Sequence, residues 1–143
     1  MGSAIQFRDL VKSRPGDVGV VLDELPRGGS VAPETVEKVV TQWLRVTGIG
    51  MPSGTRLLTA KRPDLLFPVN EANAHRVNLD LGQLRLGSVH AARDHLAILT
   101  KVRNSARWQA PKPDDDTQRR AWRARVGLLD VLLYSVPDAP PEV

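Results

Sequence analysis

The chain has 143 residues, no cysteine and a formal net charge of +4. That length fits one domain with its own core, and the lack of cysteine excludes disulfides and thiolate metal sites. No stretch approaches the ~20 apolar residues of a membrane-spanning helix, and the start MGSAIQFRDL lacks a signal peptide's apolar stretch, so a cytoplasmic protein is expected. FRDLV (7–11) opens a short first helix. Pro15 suits the first turn of a second, through DVGVVLDEL (17–25), which ends before Pro26. RGGS (27–30) is a connector. APETVEKVVTQWLRV (32–46) is the clearest early helix, with Pro33 and Glu34 at its positive N-terminus. Val36, Val39, Val40, Trp43 and Leu44 recur at helical spacing and predict a core face, and Gly48 stops the helix.

The next helix starts near Ser53, turns Leu57 and Leu58 inward and ends at Pro63. LLFPV (65–69) is apolar but has no plausible partner strand, so it reads as a buried connector. Asn70 predicts an N-cap for a helix through about Leu81. LGSVHAARDHLAILTKVRN (86–104) is another helix, capped by Ser88, with Ala92, Leu96, Leu99 and Val102 inward. The last helix is DDDTQRRAWRARVGLLDVLLY (114–134). Its three aspartates favour the helix dipole. Trp122, Val126, Leu129, Leu132 and Leu133 form its expected buried stripe, and Arg119, Arg120 and Arg123 fall on the other side. The tail from 135 to 143 is Pro-rich and is expected to be loose. The fold class is therefore all-α, a single compact bundle of about six or seven helices.

The charge is uneven. Residues 1–44 carry 5 basic and 6 acidic side chains, residues 45–112 carry 11 and 4, and residues 113–143 carry 4 and 6. The middle segment thus holds +7, where a phosphate-binding surface would be expected. Of the 20 basic residues 15 are Arg, so a general scatter of arginine over solvated faces is the competing account.

The basic segment begins at VTGIGMPSGTRLL (46–58), where Gly48 and Gly50 flank Ile49 between two apolar helices. Trp43, Val46, Thr47, Gly48, Ile49, Gly50, Met51, Pro52, Ser53 and Gly54 together resemble the helix-hairpin-helix motif of DNA-binding proteins. Thr47 stands where proline is common, and Ser53 and Gly54 replace the usual small Thr-Ala pair. In that motif, glycines permit positive φ and leave backbone N–H groups open. The second helix begins at once, and its free amides and positive dipole form an anion cup. The inward apolar residue, here Ile49, fixes the helix angle. Such contacts position a protein on the nucleic-acid backbone without reading sequence. The resemblance implies DNA-backbone contacts from Thr47, Gly48, Ile49, Gly50, Met51, Ser53 and Gly54, with added charge from Arg56, Lys61, Arg62 and Arg76. The plainer reading is a helical hairpin with a glycine stop.

Residues 36–82 resemble the hairpin half of the helix-hairpin-helix DNA glycosylases, through Pro68-Val69, Arg76-Val77 and Leu81-Gly82. Residues 101–134 resemble the end of an uncharacterised bacterial domain. The glycosylase likeness implies a catalytic aspartate where this chain has Asn70, or Glu71 with a one-residue shift. Asn70 supplies no negative charge, so Glu71 is the one candidate catalytic residue. Pro52 stands where bifunctional members carry a lysine, so Schiff-base chemistry is not expected. His75, His90 and His95 lack metal-ligand spacing, no H-E-x-x-H is present, and they read as solvated or capping residues. Neither a metal nor a cofactor is expected. Trp43 and Trp122 fall on apolar stripes, while Trp108, near Arg103, Arg107 and Lys112, could stack on a base. The favoured expectation is a non-catalytic DNA-binding module of weak sequence specificity. The alternatives are a monofunctional base-excision glycosylase using Glu71 and a protein-interaction subunit of a bacterial DNA-transaction or defence system.

Overall fold

Prolines open the second and third helices. The computed structural model describes residues 4–46, 49–86 and 90–133, and within these the chain forms helices and turns without a β-strand. α1 spans Ala4–Ser13, α2 Pro15–Asp23 and α3 Pro33–Arg45. Pro15 and Pro33 each stand in a first turn, where a missing N–H breaks no helical bond. α3 buries Val36, Val39, Val40 and Trp43 as one stripe. It lies against α2, against α4 (Met51–Lys61) and against α6 (Ala91–Arg103), so it forms the central pillar of the bundle. α5 (Glu71–Asp80) packs on α9 (Leu129–Leu133), and α7 (Ala106–Gln109) on α6. α8 covers Asp116–Arg123. One connected apolar core joins residues from Leu10 to Leu133.

The 65–69 segment is a buried connector, as its apolar run implies: Leu66, Phe67 and Val69 are fully enclosed. It manages without a partner strand because Thr55 supplies the missing acceptor. The Val69 N–H donates to Thr55 Oγ1 at 2.9 Å, and the Thr55 hydroxyl donates to the Met51 carbonyl at 2.7 Å. A buried amide is thereby satisfied by a side chain rather than a sheet.

Nine helices form among the described residues, against the six or seven expected. One addition is α7, whose N-cap Ser105 accepts from the Trp108 N–H at 3.3 Å. The other comes from a break in the last predicted helix. The Gly127 N–H leaves the helical ladder and donates to the Pro63 carbonyl at 2.7 Å. A Cβ there would stand 3.1 Å from Pro63 Cβ and 3.2 Å from Thr59 Cγ2, so glycine lets the backbone close on the end of α4. The break disperses the predicted stripe. Val126 and Leu133 are buried and Trp122 and Leu129 half-buried, but Leu132 is 59% exposed.

α6 also departs from expectation. It begins at Ala91 with His90 at its N-cap, not at Leu86, which stands in a turn; the expected cap Ser88 lies outside the described residues. Its buried face is Ala91, Asp94, His95, Ile98, Leu99 and Val102, while Ala92 and Leu96 are only half-buried. His95 is therefore a core residue, not a solvated one. Its ring meets Phe67 edge-on with centroids 4.9 Å apart. Burial pushes its pKa down to about 4, against a weaker opposing pull from the Phe67 backbone. Asp94 is paired: the Arg85 guanidinium donates to it at 2.8 and 2.7 Å, and the Arg85 amide at 3.0 Å. Those bonds, the guanidinium's first, hold its carboxyl at about 2.

Candidate nucleic-acid interface

The hairpin is built by two close approaches. α3 ends at Arg45, three residues before the predicted glycine stop, and Val46 turns the chain out in an extended conformation. The Ile49 N–H then donates back to the Val46 carbonyl at 3.0 Å, and Ile49 is buried between the helices. Gly54 is the second approach. A Cβ there would lie 2.2 Å from Trp43 Cδ1 and 2.3 Å from Trp43 Nε1, so the indole rests directly on the α4 backbone. Trp43 is fully buried and takes no part in stacking on an external base.

Gly50 is the N-cap of α4, with φ −87° and ψ 166°. Positive φ is thus not what glycine provides here, contrary to the motif's usual logic, and a Cβ would meet only Pro52 Cδ at an ordinary 3.7 Å. No side chain caps α4. The amides of Gly50, Met51 and Ser53 have no intrahelical acceptor by position, and Pro52 carries no N–H. The Met51 side chain turns inward and is 4% exposed. Thr47 and Gly48, two of the expected backbone contacts, lie outside the described residues.

The four cations expected beside the cup divide sharply. Arg56 is exposed and has no ion-pair partner among the described residues. Arg76 is exposed too but pairs with Asp80 at 3.0 Å, one turn along α5. Lys61 donates to the Leu22 carbonyl and lies 3.8 Å from Asp23. Arg62, expected as a phosphate contact, is instead only 3% exposed and does not face solvent. Its guanidinium grips Asp64 at 2.8 and 2.6 Å and donates to the carbonyls of Pro26 and Gly29, each at 2.9 Å. Those bonds pin the connector between α2 and α3 to the end of α4. Hydrogen bonding to Asp64 raises the arginine's pKa. Arg62's bonding and charge outweigh burial and lower the aspartate's.

Asn70 caps α5 as predicted. Its side chain accepts from the Asn73 N–H at 3.1 Å, and Asn73 Oδ1 accepts from the Asn70 N–H at 2.9 Å. The structure also brings in a carboxylate from the far end of the sequence. Asp130 on α9 accepts from both Asn73 and Asn70 side chains, at the positive end of α5. Nothing in the spacing of Asp130 from Asn70 announces that meeting. Glu71 is exposed in the first turn of α5. Trp108 and Trp122 sandwich the Arg125 guanidinium at 3.7 and 3.8 Å, so one face of each ring is already occupied.

A second basic place was not foreseen. Arg27, from the RGGS connector, and Arg120 and Arg123, from the outer face of α8, border one cleft with Lys61 and Arg62. The exposure of each could be read from the chain, but their meeting depends on the Arg62 clamp. Among the described residues no group of three or more His, Asp or Glu is placed to hold a metal ion, and no helix is long and apolar enough to cross a membrane. No protein-family model, curated protein or solved structure matches the chain.

Proposed function

We propose that this chain is a non-catalytic DNA-binding module that grips the phosphate backbone through the α3–α4 hairpin, largely without regard to sequence. The observation that carries the reading is the uncapped start of α4. Its open amides are held at a fixed angle by buried Ile49 and by the Trp43–Gly54 contact. Backbone amides at a positive helix end suit a phosphodiester oxygen. Arg56, one turn further on and unpaired among the described residues, adds charge without base readout. Base excision would need a carboxylate at the sugar and a pocket for the flipped base. Asn70 is committed to the capping box and Glu71 stands exposed at a helix start, so catalysis is not part of this reading.

The test is duplex binding by fluorescence anisotropy over a salt series. Gly50→Ala should bind as wild type, since neither φ nor space opposes a methyl. Gly50→Glu places a carboxylate at the cup and should weaken binding by about tenfold or more with unfolding unchanged. Arg56→Ala should weaken binding equally on unrelated duplexes and shallow the salt slope by about one unit. Wild-type affinity in folded Gly50→Glu would exclude the hairpin as the contact.

A second reading, a protein-interaction subunit, is favoured by one feature. Leu128, Val131 and Leu132, around α9, are 41%, 71% and 59% exposed. Absence of duplex binding by wild type would favour it.

A further inference from the structure

The end of α4 remote from the hairpin opens on a cleft of about 430 Å³, between the 27–29 connector, the α4 terminus and α8. Five basic side chains border it, Arg27, Lys61, Arg62, Arg120 and Arg123, against one acid, Asp64. The acid is already committed to Arg62, whose other donors hold the connector as a wall. Lys61 is engaged by the Leu22 carbonyl and by Asp23, itself 88% exposed. Arg27, Arg120 and Arg123 are different. All are exposed, and none has a side-chain hydrogen bond or ion pair among the described residues. Asp116, in the first turn of α8, is paired with Arg119 at 2.9 Å and does not neutralise them. Arg120 and Arg123 are helix neighbours three residues apart, an arrangement of like charges that costs stability. The connector adds Gly28 and Gly29, where a Cβ would meet nothing within 4 Å and where Gly29 has φ +78°. Its backbone is therefore open to close approach along the rim.

We propose that this cleft binds a phosphate-bearing anion, with Arg27, Arg120 and Arg123 converging on its oxygens. Three unpaired guanidiniums around a pre-shaped, acid-poor cleft present the forked donors that match phosphate oxygens. The volume lies within the roughly 300–1,000 Å³ range of small-ligand sites. The anion is either a phosphodiester of a nucleic-acid strand or a compact free polyphosphate. The site is separate from the hairpin. The 11 residues of α4 put the Gly50–Ser53 amides roughly 16 Å from the cleft, and neither those amides nor Arg56 border it.

The experiment uses two probes, inorganic tripolyphosphate by calorimetry and a random duplex by anisotropy. The variants are R120E/R123E and, separately, R27E, each checked for wild-type circular dichroism and unfolding. Both alter exposed side chains without partners, and R27E stands in should the double variant misfold. Wild type should bind at least one probe, and the charge reversals should weaken it about tenfold or more. Gly50→Glu should leave tripolyphosphate binding intact, which separates this site from the hairpin. Loss of duplex affinity in the cleft variants identifies the source as nucleic acid, and loss of tripolyphosphate affinity alone identifies a free polyphosphate. Failure of wild type to bind either probe, or a folded cleft variant that leaves undiminished every binding wild type shows, would overturn the proposal.

Discussion

Gly54 shows how one absent methyl can set a hairpin. The sequence marks it as a small residue in the second helix, but the reason lies in three dimensions, where the Trp43 indole occupies the volume of its missing Cβ. Gly54→Ala should therefore force Trp43 or α4 to move and lower stability by about 3 kcal/mol in urea unfolding. Gly50→Ala, only four residues earlier, should be nearly neutral, and equal effects at the two sites would refute this assignment. Arg62 teaches the converse. As a residue in a basic segment it reads as a phosphate ligand, yet besides nearby Asp64 its partners are carbonyls more than thirty residues away in sequence. Such partners are not legible from spacing. The charge of the middle segment is also partly internal, since Asp64, Asp80 and Asp94 each pair with an arginine of that same segment.

Among elements, the helices with strong apolar periodicity or terminal proline were legible. α2 and α3 begin at their prolines, and α5 begins after its Asn70 cap. The connector 65–69 was legible as buried because it lacked a partner strand, but its anchor was not. Thr55 looks like an ordinary helix residue, and only the fold places its hydroxyl beneath Val69. Thr55→Val, nearly the same shape, should leave the Val69 amide without an acceptor and cost about 1–3 kcal/mol. A variant as stable as wild type would show that this hydrogen bond is not what seats the connector. The final helix was misread because its pattern continues through Gly127, whereas the amide there finds a better place on Pro63. Tertiary contact overrode local periodicity.

For the whole molecule, acid should act in two stages. His95 is neutral in the fold, with a pKa lowered to about 4 from an ordinary value near 6.5. The folded state therefore binds fewer protons than the unfolded chain in that window. Stability is complete above about pH 6.5 and falls as pH drops toward 4, by on the order of 3 kcal/mol. Asp94, held at about 2 chiefly by Arg85, contributes stability that is present above about pH 4 and lost as pH falls through 2. Thermal unfolding from pH 7 to 4.5 should show a declining midpoint in wild type. His95→Leu should be flat over that range, whatever its stability at neutral pH. A parallel decline in both would place the titrating group elsewhere. Neither stage is legible in the sequence: a histidine five residues from another gives no sign of which one faces the core, and Asp94 meets Arg85 only through the turn that precedes α6.

The return of residues 127–130 to Pro63 and Asn73 spans 64 and 57 positions of the chain. These contacts straddle the buried connector, so its seat is completed only when residues 127–130 dock on its two flanks. Long-range closure of this kind slows folding relative to a bundle held by neighbouring helices alone. The hairpin is consequently not a portable cassette: residues 33–82, made as a separate peptide, would leave the Pro63 carbonyl and the Asn73 amide without the partners that the C-terminal segment brings.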